Sequence, residues 1–494
     1  MGEIKKQSLQ GSFWAYLGAA FGIISQGFII PNYFTTEQNG LLALLLSWTY
    51  IICQVASLGF NNAGTRYFPF FRDKQKNHKG YLNYSFWFHL AGTVLVLGFF
   101  LLADKKWLFG IANNDNNLFE KYYLYLIPLV VATMVFNVFD NYAKGLYSTV
   151  AGTLYSQFLQ RFLLFVAILI YALKLLDFDN FLILWIVAFS FPTVLMFIEA
   201  YRLGGFSLVY SAELVESRQL KPFVVFALIS SFSGLSSMIL AQLDKIMINY
   251  YLGLSQTGIY NTCLLFASLM GLAYVAMNKA ASSLVIDAME RKDFDQVETV
   301  LKKSSVNLFI FGCGILLLTW VSIDELFSFL KPEYTLGKTA LLIIGCGKLF
   351  DLFNGVNALI LINSRYYKLD TIIMVSFIVI LFLLNALLIP AFGINGGAWA
   401  TFFSLIYYNS VRSYFIYQKF GIHAFSRSQA VILVIFILCL FAGIQLPQFV
   451  NVYFSVFYKS VLIGSVFLFL MYKQRVSPEL TSIIHSTLRK FKLL

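Results

Sequence analysis

LDTIIMVSFIVILFLLNALLIP, residues Leu369 to Pro390, carries a single charge, Asp370, beside its start. About 20 apolar residues wound as a helix cross a bilayer's hydrocarbon core, so this stretch reads as a membrane-spanning helix. The rest of the chain repeats its composition. Of 494 residues 59% are hydrophobic and only 12% charged, against roughly a quarter charged in soluble proteins. Hydropathy places spans at about 11–32, 40–63, 81–103, 119–141, 153–173, 180–202, 223–250, 258–280, 304–323, 337–362, 369–390, 394–417, 428–447 and 451–472. What is left supplies loops and tails, which excludes a soluble domain of roughly 100 to 150 residues. The fold class is therefore an all-α polytopic membrane protein with about 14 transmembrane helices.

The formal charge of +12 would suggest nucleic acid in a soluble protein, but here its distribution counts. Basic residues gather in alternate loops: Lys5 and Lys6, Arg66 to Lys79, Lys144, Arg202 to Lys221, Arg291 to Lys303, Arg365 and Lys368, Lys419 and Arg427, and the tail from Lys473 to Lys492. The intervening loops mix a few lysines with Asp104, Asp115, Glu120, Asp177, Asp324 and Glu333. The positive-inside rule then puts both termini in the cytoplasm, with no nucleic-acid partner expected. The first apolar stretch has full span length and runs into Pro31-Asn32-Tyr33, so it reads as an anchor rather than a cleaved signal. Cys53, Cys263, Cys313, Cys346 and Cys439 form no metal spacing, and the four histidines are scattered, so no cofactor is expected.

Two short matches recur at one offset. Gln38-Asn39-Gly40-Leu41 returns as Gln256-Thr257-Gly258-Ile259, 218 residues on, and Phe136-Asn137-Val138-Phe139-Asp140 returns as Phe353-Asn354-Gly355-Val356-Asn357, 217 on. A repeat of six spans keeps the same orientation, so two six-helix lobes would be related by an axis along the membrane normal, with a cavity between them. The expected domains are 1–204 (first lobe, spans one to six), a cytoplasmic connector at 205–221, 222–419 (second lobe, spans seven to twelve), 420–474 (two appended spans) and a basic tail at 475–494. The connector interleaves Glu213 and Arg218 with Leu208 and Leu214, as an amphipathic stretch or a simple tether would. In the tail, Ser477-Pro478-Glu479 starts a basic helix with Ile483, Ile484, Leu488 and Phe491 on one face, suited to an anionic leaflet.

Charges inside the hydrocarbon cost at least about 2.5 kcal/mol each, so those present face a cavity or a partner. Span five carries Gln157 and Arg161, and arginine's fork of donors suits phosphate oxygens. Span seven carries Asp244 and Lys245, neighbours about 100° apart on a helix, so at least one should meet another helix. Span ten carries Lys348, Asp351, Asn354 and Asn357 at intervals of three, a polar stripe that forms a cavity wall unless Lys348 and Asp351 simply neutralise each other. Gln26, Gln54 and Asn61 add hydroxyl-reading amides in spans one and two, while Lys459 and Glu199 are secondary candidates. Gly337-Lys338-Thr339 imitates the end of a phosphate loop, but Pro332 stands at the leading glycine position. The longest external segment, Asp104 to Glu120, offers no catalytic constellation, so an enzyme is not expected.

The segment Pro390-Ala391-Phe392-Gly393-Ile394-Asn395-Gly396-Gly397-Ala398-Trp399-Ala400-Thr401 resembles the P-x-x-G-I-x-G-A-A-x-A-T entry to the twelfth helix in the polysaccharide flippases of the multidrug/oligosaccharidyl-lipid/polysaccharide (MOP) superfamily. Gly397 stands where that family usually has alanine. Asp244, Ile246, Gly253 and Gly258-Ile259-Tyr260 are similar to its seventh-helix pattern, and Gly64-Thr65-Arg66-Tyr67-Phe68-Pro69 follows span two as in the family. The resemblance implies a lobed, V-shaped, non-enzymatic transporter of the bacterial inner membrane. Its cargo would be an undecaprenyl-pyrophosphate-linked oligosaccharide, moved by alternating access from the cytoplasmic to the periplasmic leaflet for O-antigen, capsule or exopolysaccharide. Arg161 with Lys245 or Lys348 would meet the pyrophosphate, Gln26, Gln54, Asn61, Gln157 and Asn357 the sugar, and Asp244 or Asp351 a coupling Na⁺ or H⁺. Membrane lipids and glycan polymerase or assembly proteins would be its partners. Lipid II flippases of the superfamily place arginine where Gln26 stands, which argues against a peptidoglycan precursor. The alternatives are a cation-coupled multidrug or metabolite antiporter of the same superfamily and, behind it, a membrane glycan enzyme.

Overall fold

A computed structural model describes residues 2–73, 75–103, 117–204, 206–208, 211, 213, 216 and 218–490. Lys74, most of the Asp104–Glu120 loop, part of the connector, the side chains of Ile483, Ile484 and Leu488, and residues Phe491 and Lys492 lie outside the described residues. Among those described there is no strand. The helices are α1 (Gly2–Ile23), α2 (Thr36–Ser57), α3 (Phe60–Phe71), α4 (Tyr81–Leu102), α5 (Leu126–Gly145), α6 (Gln160–Ala172), α7 (Phe178–Arg202), α8 (Leu220–Leu252) and α9 (Leu254–Ser268). They continue as α10 (Gly271–Glu290), α11 (Phe294–Val321), α12 (Lys338–Phe353), α13 (Asn357–Ile362), α14 (Tyr367–Phe392), α15 (Ile394–Phe420), α16 (Arg427–Ile444), α17 (Val452–Lys473) and α18 (Pro478–Lys490).

All fourteen expected segments are helical; 40–63 breaks between α2 and α3, 258–280 between α9 and α10, and 337–362 between α12 and α13, and 223–250 is bent by 43° within α8 between Ser236 and Met238. By length and composition ten helices among the described residues can cross a membrane, or twelve counting two bent pairs. The expected spans outside those twelve are 337–362 and 394–417, whose buried polar residues lower their apolarity. Local sequence sets the ends. Thr35 and Gln38 make a reciprocal capping box at the start of α2 (Gln38 N donating to Thr35 Oγ1 at 3.2 Å, Thr35 N to Gln38 Oε1 at 3.0 Å). α2 stops where Leu58 and Gly59 turn left-handed, at φ 41° and 74°. Ser477 caps α18, accepting from Leu480 N at 3.2 Å, as the Ser-Pro-Glu start implies.

Packing divides the chain into two compact units, Met1–Asn261 and Thr262–Leu494. In the first, α2, α5 and α7 form the core, with the rings of Phe34, Tyr171 and Phe181 meeting at tilted and edge-to-face angles (centroids 4.4 to 5.0 Å). In the second, one core joins α11, α16 and α17 and another gathers around α13 and α15. The entry to α15 behaves as its small residues suggest: Gly393 turns at φ 61°, Gly396 abuts the Leu388 carbonyl, and Ala398 and Ala400 are fully buried. Whole helix faces remain apolar and exposed, including Leu95, Phe99, Leu387, Phe441 and Phe469. Such surface is unfavourable in water and neutral against lipid tails, so this is a multi-pass membrane protein. Of the described connector residues, Glu213, Glu216, Arg218 and Gln219 lie in turns, and the segment is tied down where Tyr84 Oη donates to Ser211 O (2.8 Å) and Lys76 meets Glu213 (3.2 Å).

Candidate functional site

In the first unit, two π-helical turns bracket the predicted polar residues. Ile24–Ile29 extends α1 and contains Gln26; Leu154–Leu159 precedes α6 and contains Gln157. Such turns widen a helix by one residue and recur at functional sites. The second packs on α1 so closely that a β-carbon on Gly18 would lie 1.7 Å from the Gln157 carbonyl oxygen. Gln160 donates to the Phe189 carbonyl (2.9 Å) and fixes α6 to α7, which turns its neighbour Arg161 away toward α1 and α2. There the guanidinium donates to Gln157 Oε1 (3.1 Å), passes Gly22 one turn before Gln26, and lies in electrostatic range of Tyr50.

Asp244 is buried on α8 and accepts from Tyr260 Oη (3.2 Å), while Lys245 turns aside half-buried. That is the division expected of neighbouring residues on a helix. Gln54 fits against Gly234, and Asn61 keeps a buried Oδ1 without a hydrogen-bond partner. Glu199 accepts from Ser148 (3.1 Å), and Asp140 pairs with Lys144.

In the second unit, the expected polar stripe does not run along one straight helix. Gly355, at φ 63°, breaks it between α12 and α13, and Ser304 and Ser305 of α11 press so closely that a β-carbon there would lie 2.8 Å from both Ser304 Oγ and Ser305 N. Lys348 and Asp351 do not neutralise each other. Asp351 Oδ1 accepts from Asn409 Nδ2 (3.0 Å), Asn409 Oδ1 accepts from Asn357 (3.4 Å), and Asn354 accepts from Ser413 (2.8 Å). Residues of α15 thus take the partners that spacing along α12 had suggested. Lys338, of the false phosphate loop, pairs with Asp324 (2.6 Å).

Two buried ion pairs were not read from the sequence. Arg412 meets Asp370 (2.7 Å) and donates to Tyr408 Oη; Lys459 meets Glu325 (2.5 Å), which also accepts from Ser455 (2.9 Å). A signal existed for the first, because Arg412 falls inside the expected 394–417 span. These pairs sort the cations lying away from span ends. Arg412 and Lys459 are fully buried and paired, whereas Arg161, Lys245 and Lys348 are half-buried, with no carboxylate within 4.0 Å among the described residues. The first two pairs tie one helix to another.

Residues 230–387, from α8 into α14, match the MatE family model. Among solved structures the chain is similar to the lipid II flippase MurJ in an inward closed conformation, with 14% identity, a TM-score of 0.70, and 95% of this chain and 99% of that one covered. It is also similar to a multidrug resistance MATE family transporter of the MOP superfamily in an inward-facing conformation, with 15% identity, a TM-score of 0.61, and 82% and 94% covered. No curated protein matches it in sequence. The protein has the fold of the MOP-superfamily transporters.

Proposed function

We propose that this protein is a flippase that carries an undecaprenyl-pyrophosphate-linked oligosaccharide from the cytoplasmic to the periplasmic leaflet, for O-antigen, capsule or exopolysaccharide assembly. The observation that carries this reading is that Arg161, Lys245 and Lys348 are half-buried cations with no carboxylate within 4.0 Å among the described residues. Leaving a charge among apolar helices is unfavourable, and a pyrophosphate would compensate it through charge-assisted hydrogen bonds. Gln26, Gln54, Asn61, Gln157 and Asn357 supply amides for sugar hydroxyls.

A lipid-linked cargo also needs a place for its chain. In the second unit a groove of about 580 Å³ runs between α10, α11 and α17, walled by Met277, Phe311, Ile315, Leu318 and Phe467, and kept open by Gly314 and Gly464. Its polar groups, Asn307 and Glu479, stand at one end. Likeness to a lipid II flippase supports a lipid-borne substrate, while Gln26 in place of a first-helix arginine argues against lipid II itself. On this reading both termini are cytoplasmic, the lobes are 1–204 and 222–419, and glycan assembly proteins are partners.

A second reading, a cation-coupled antiporter, is favoured by one observation: the MatE match contains both the buried Asp244 and the half-buried Asp351. The two readings separate in one experiment. A strain lacking the gene is complemented with wild type, Arg161→Gln or Lys348→Gln at matched membrane levels, and undecaprenyl-linked oligosaccharides are assayed for leaflet exposure. Stranding of the intermediate on the inner leaflet, relieved by wild type and not by Arg161→Gln, is the expected result. Unchanged intermediates with altered drug efflux under a Na⁺ or H⁺ gradient would replace the flippase by the antiporter.

A further inference from the structure

The second unit holds a second cavity, of about 400 Å³, between α11, α12, α13, α15 and the turn before α16. It is chemically unlike the apolar groove. More than half of its lining side chains carry nitrogen or oxygen, whereas the groove has only Asn307 and Glu479. Asn354, Asn357 and Ser413 contribute amides and a hydroxyl, and Phe350, Tyr414 and Tyr417 contribute aromatic rings. The volume falls in the roughly 300 to 1,000 Å³ range of small-molecule sites.

Its polar groups are only partly used by the protein. His423 Nδ1 is buried without a hydrogen-bond partner, and the hydroxyls of Ser410, Tyr414 and Tyr417 have none among the described residues. Asn354 and Asn357 spend one N–H each on Phe350 O (2.8 Å) and Asn409 Oδ1 (3.4 Å), leaving a second N–H on each. The wall carries no surplus charge. His423 Nε2 faces Glu298 (3.7 Å), and Glu298 is already paired with Lys302 (2.8 Å). Neither Arg nor Lys lines the cavity, which sets it apart from the unpaired cations described above.

Scattered donors and acceptors beside aromatic faces, without net charge, match one ligand class. A sugar ring presents hydroxyls at its edge and C–H groups on its faces, and is neutral; a pyrophosphate would find no cation here and an acyl chain would leave the amides unpaired. We propose that this cavity is a subsite for a neutral saccharide of one or two rings, stacked on Tyr414 and Tyr417 and hydrogen-bonded by Asn354, Asn357 and Ser410. That the saccharide is part of the transported glycan rests on the flippase reading; the affinity for a neutral sugar does not.

The test uses the full chain in nanodiscs, with lactose, maltose and diacetylchitobiose as probes and glycerol, pyrophosphate and dihexanoyl phosphatidylglycerol as controls, read by saturation-transfer NMR. At least one disaccharide should show transfer, weakened tenfold or more in Tyr414→Ala/Tyr417→Ala, partly restored in Tyr414→Phe/Tyr417→Phe, and unchanged in Leu480→Ala, which lines the other groove. Both tyrosines are well exposed, so their loss should leave the fold intact. No transfer from any disaccharide, equal transfer in the alanine variant, or displacement by the phospholipid but not by sugar would each overturn the subsite, the last assigning the cavity to a bilayer lipid. Liposome flipping of lipid-linked oligosaccharide separates the two claims. Sugar binding without flipping sinks the flippase and keeps the subsite, while flipping that the alanine variant leaves unchanged, with no sugar bound, does the reverse.

Discussion

Gly40 and Gly258 each press on the other's chain segment at the same distance: a β-carbon on Gly40 would lie 2.0 Å from the Leu254 carbonyl oxygen, and one on Gly258 2.0 Å from that of Thr36. Thr36 and Leu254, like Gly40 and Gly258, are 218 residues apart, the offset of the sequence repeat. The contact is reciprocal, as a two-fold relation between the starts of α2 and α9 requires. Thr36 Oγ1 and Ser255 Oγ lie 2.7 Å apart beside it, and Asn39 donates to the Gly258 carbonyl (2.9 Å).

Because the atoms opposite both glycines are backbone, an added methyl cannot be accommodated by a side-chain shift. Gly40→Ala and Gly258→Ala should each destabilise the protein by about 1 to 3 kcal/mol, read as a lowered Tm in detergent. If alternating access separates these segments, Thr36→Cys/Ser255→Cys should stop transport when oxidised and recover with reductant. Full transport in the cross-linked protein would mean that the contact stays closed throughout the cycle.

The unpaired and paired cations should respond in opposite ways. Arg161→Gln and Lys348→Gln should leave Tm nearly unchanged while lowering transport of an anionic cargo at least tenfold. Lys459→Met should instead cost about 3 to 5 kcal/mol, because Glu325 is left buried without its partner, and Glu325→Leu added to it should restore most of that loss. Thermal unfolding and liposome flipping on the same preparations check both arms.

Glu479, at the start of α18, ties the tail to α11 through Lys303 (3.5 Å) and shares Ser477 with Asn307. Burial pushes its carboxyl up, but the backbone N–H at the helix start, Ser477, Lys303 and Asn307 outweigh it and hold the pKa below the usual carboxylate value. A depressed pKa contributes stability above the unfolded value that is lost as pH falls through the folded one. The protection factors of the α18 amides, which are exchange rates corrected for their intrinsic pH dependence, should therefore be high at pH 7 and fall as the pH drops below the usual carboxylate range. Glu479→Gln should show low protection throughout; a pH step that survives in that variant would place the switch elsewhere.

Filling the apolar groove should separate chain binding from headgroup binding. Gly464 has only Leu318 near it, 3.7 Å from an added β-carbon, so Gly464→Ala should be silent and Gly464→Leu should occupy the space. Flipping of a long-chain lipid-linked oligosaccharide should fall severalfold in Gly464→Leu, while a short-chain analogue is moved at the wild-type rate. Equal loss for both analogues would show a general packing defect instead.

The architecture was largely legible along the chain. The Leu369–Pro390 run is α14, the fourteen hydropathy segments are helical, and the Gly393–Thr401 stretch packs through its small residues as its resemblance implies. Of the site, the sequence named Arg161 with Gln157, which do meet, and Asp351 with Asn357, which connect through Asn409. It missed Asn409, Asp370 and Glu325. Asn409 is an ordinary polar residue in a polar helix, and Asp370 stands one residue into an expected span, where charges are common.

What the sequence determined by itself is what depends on each segment alone: which stretches prefer lipid to water, and that Ser477-Pro478-Glu479 begins a helix. These follow from local hydropathy and capping. Only the tertiary structure decided which buried charges are compensated. Arg412 finds Asp370 42 residues away, and Lys459 finds Glu325 from another helix, while Arg161 hydrogen-bonds the neutral Gln157 and has no carboxylate within 4.0 Å among the described residues. A charge in a membrane is structural or functional according to what lies within about 4 Å of it. That neighbour is chosen by helix packing, which no spacing along one helix reveals.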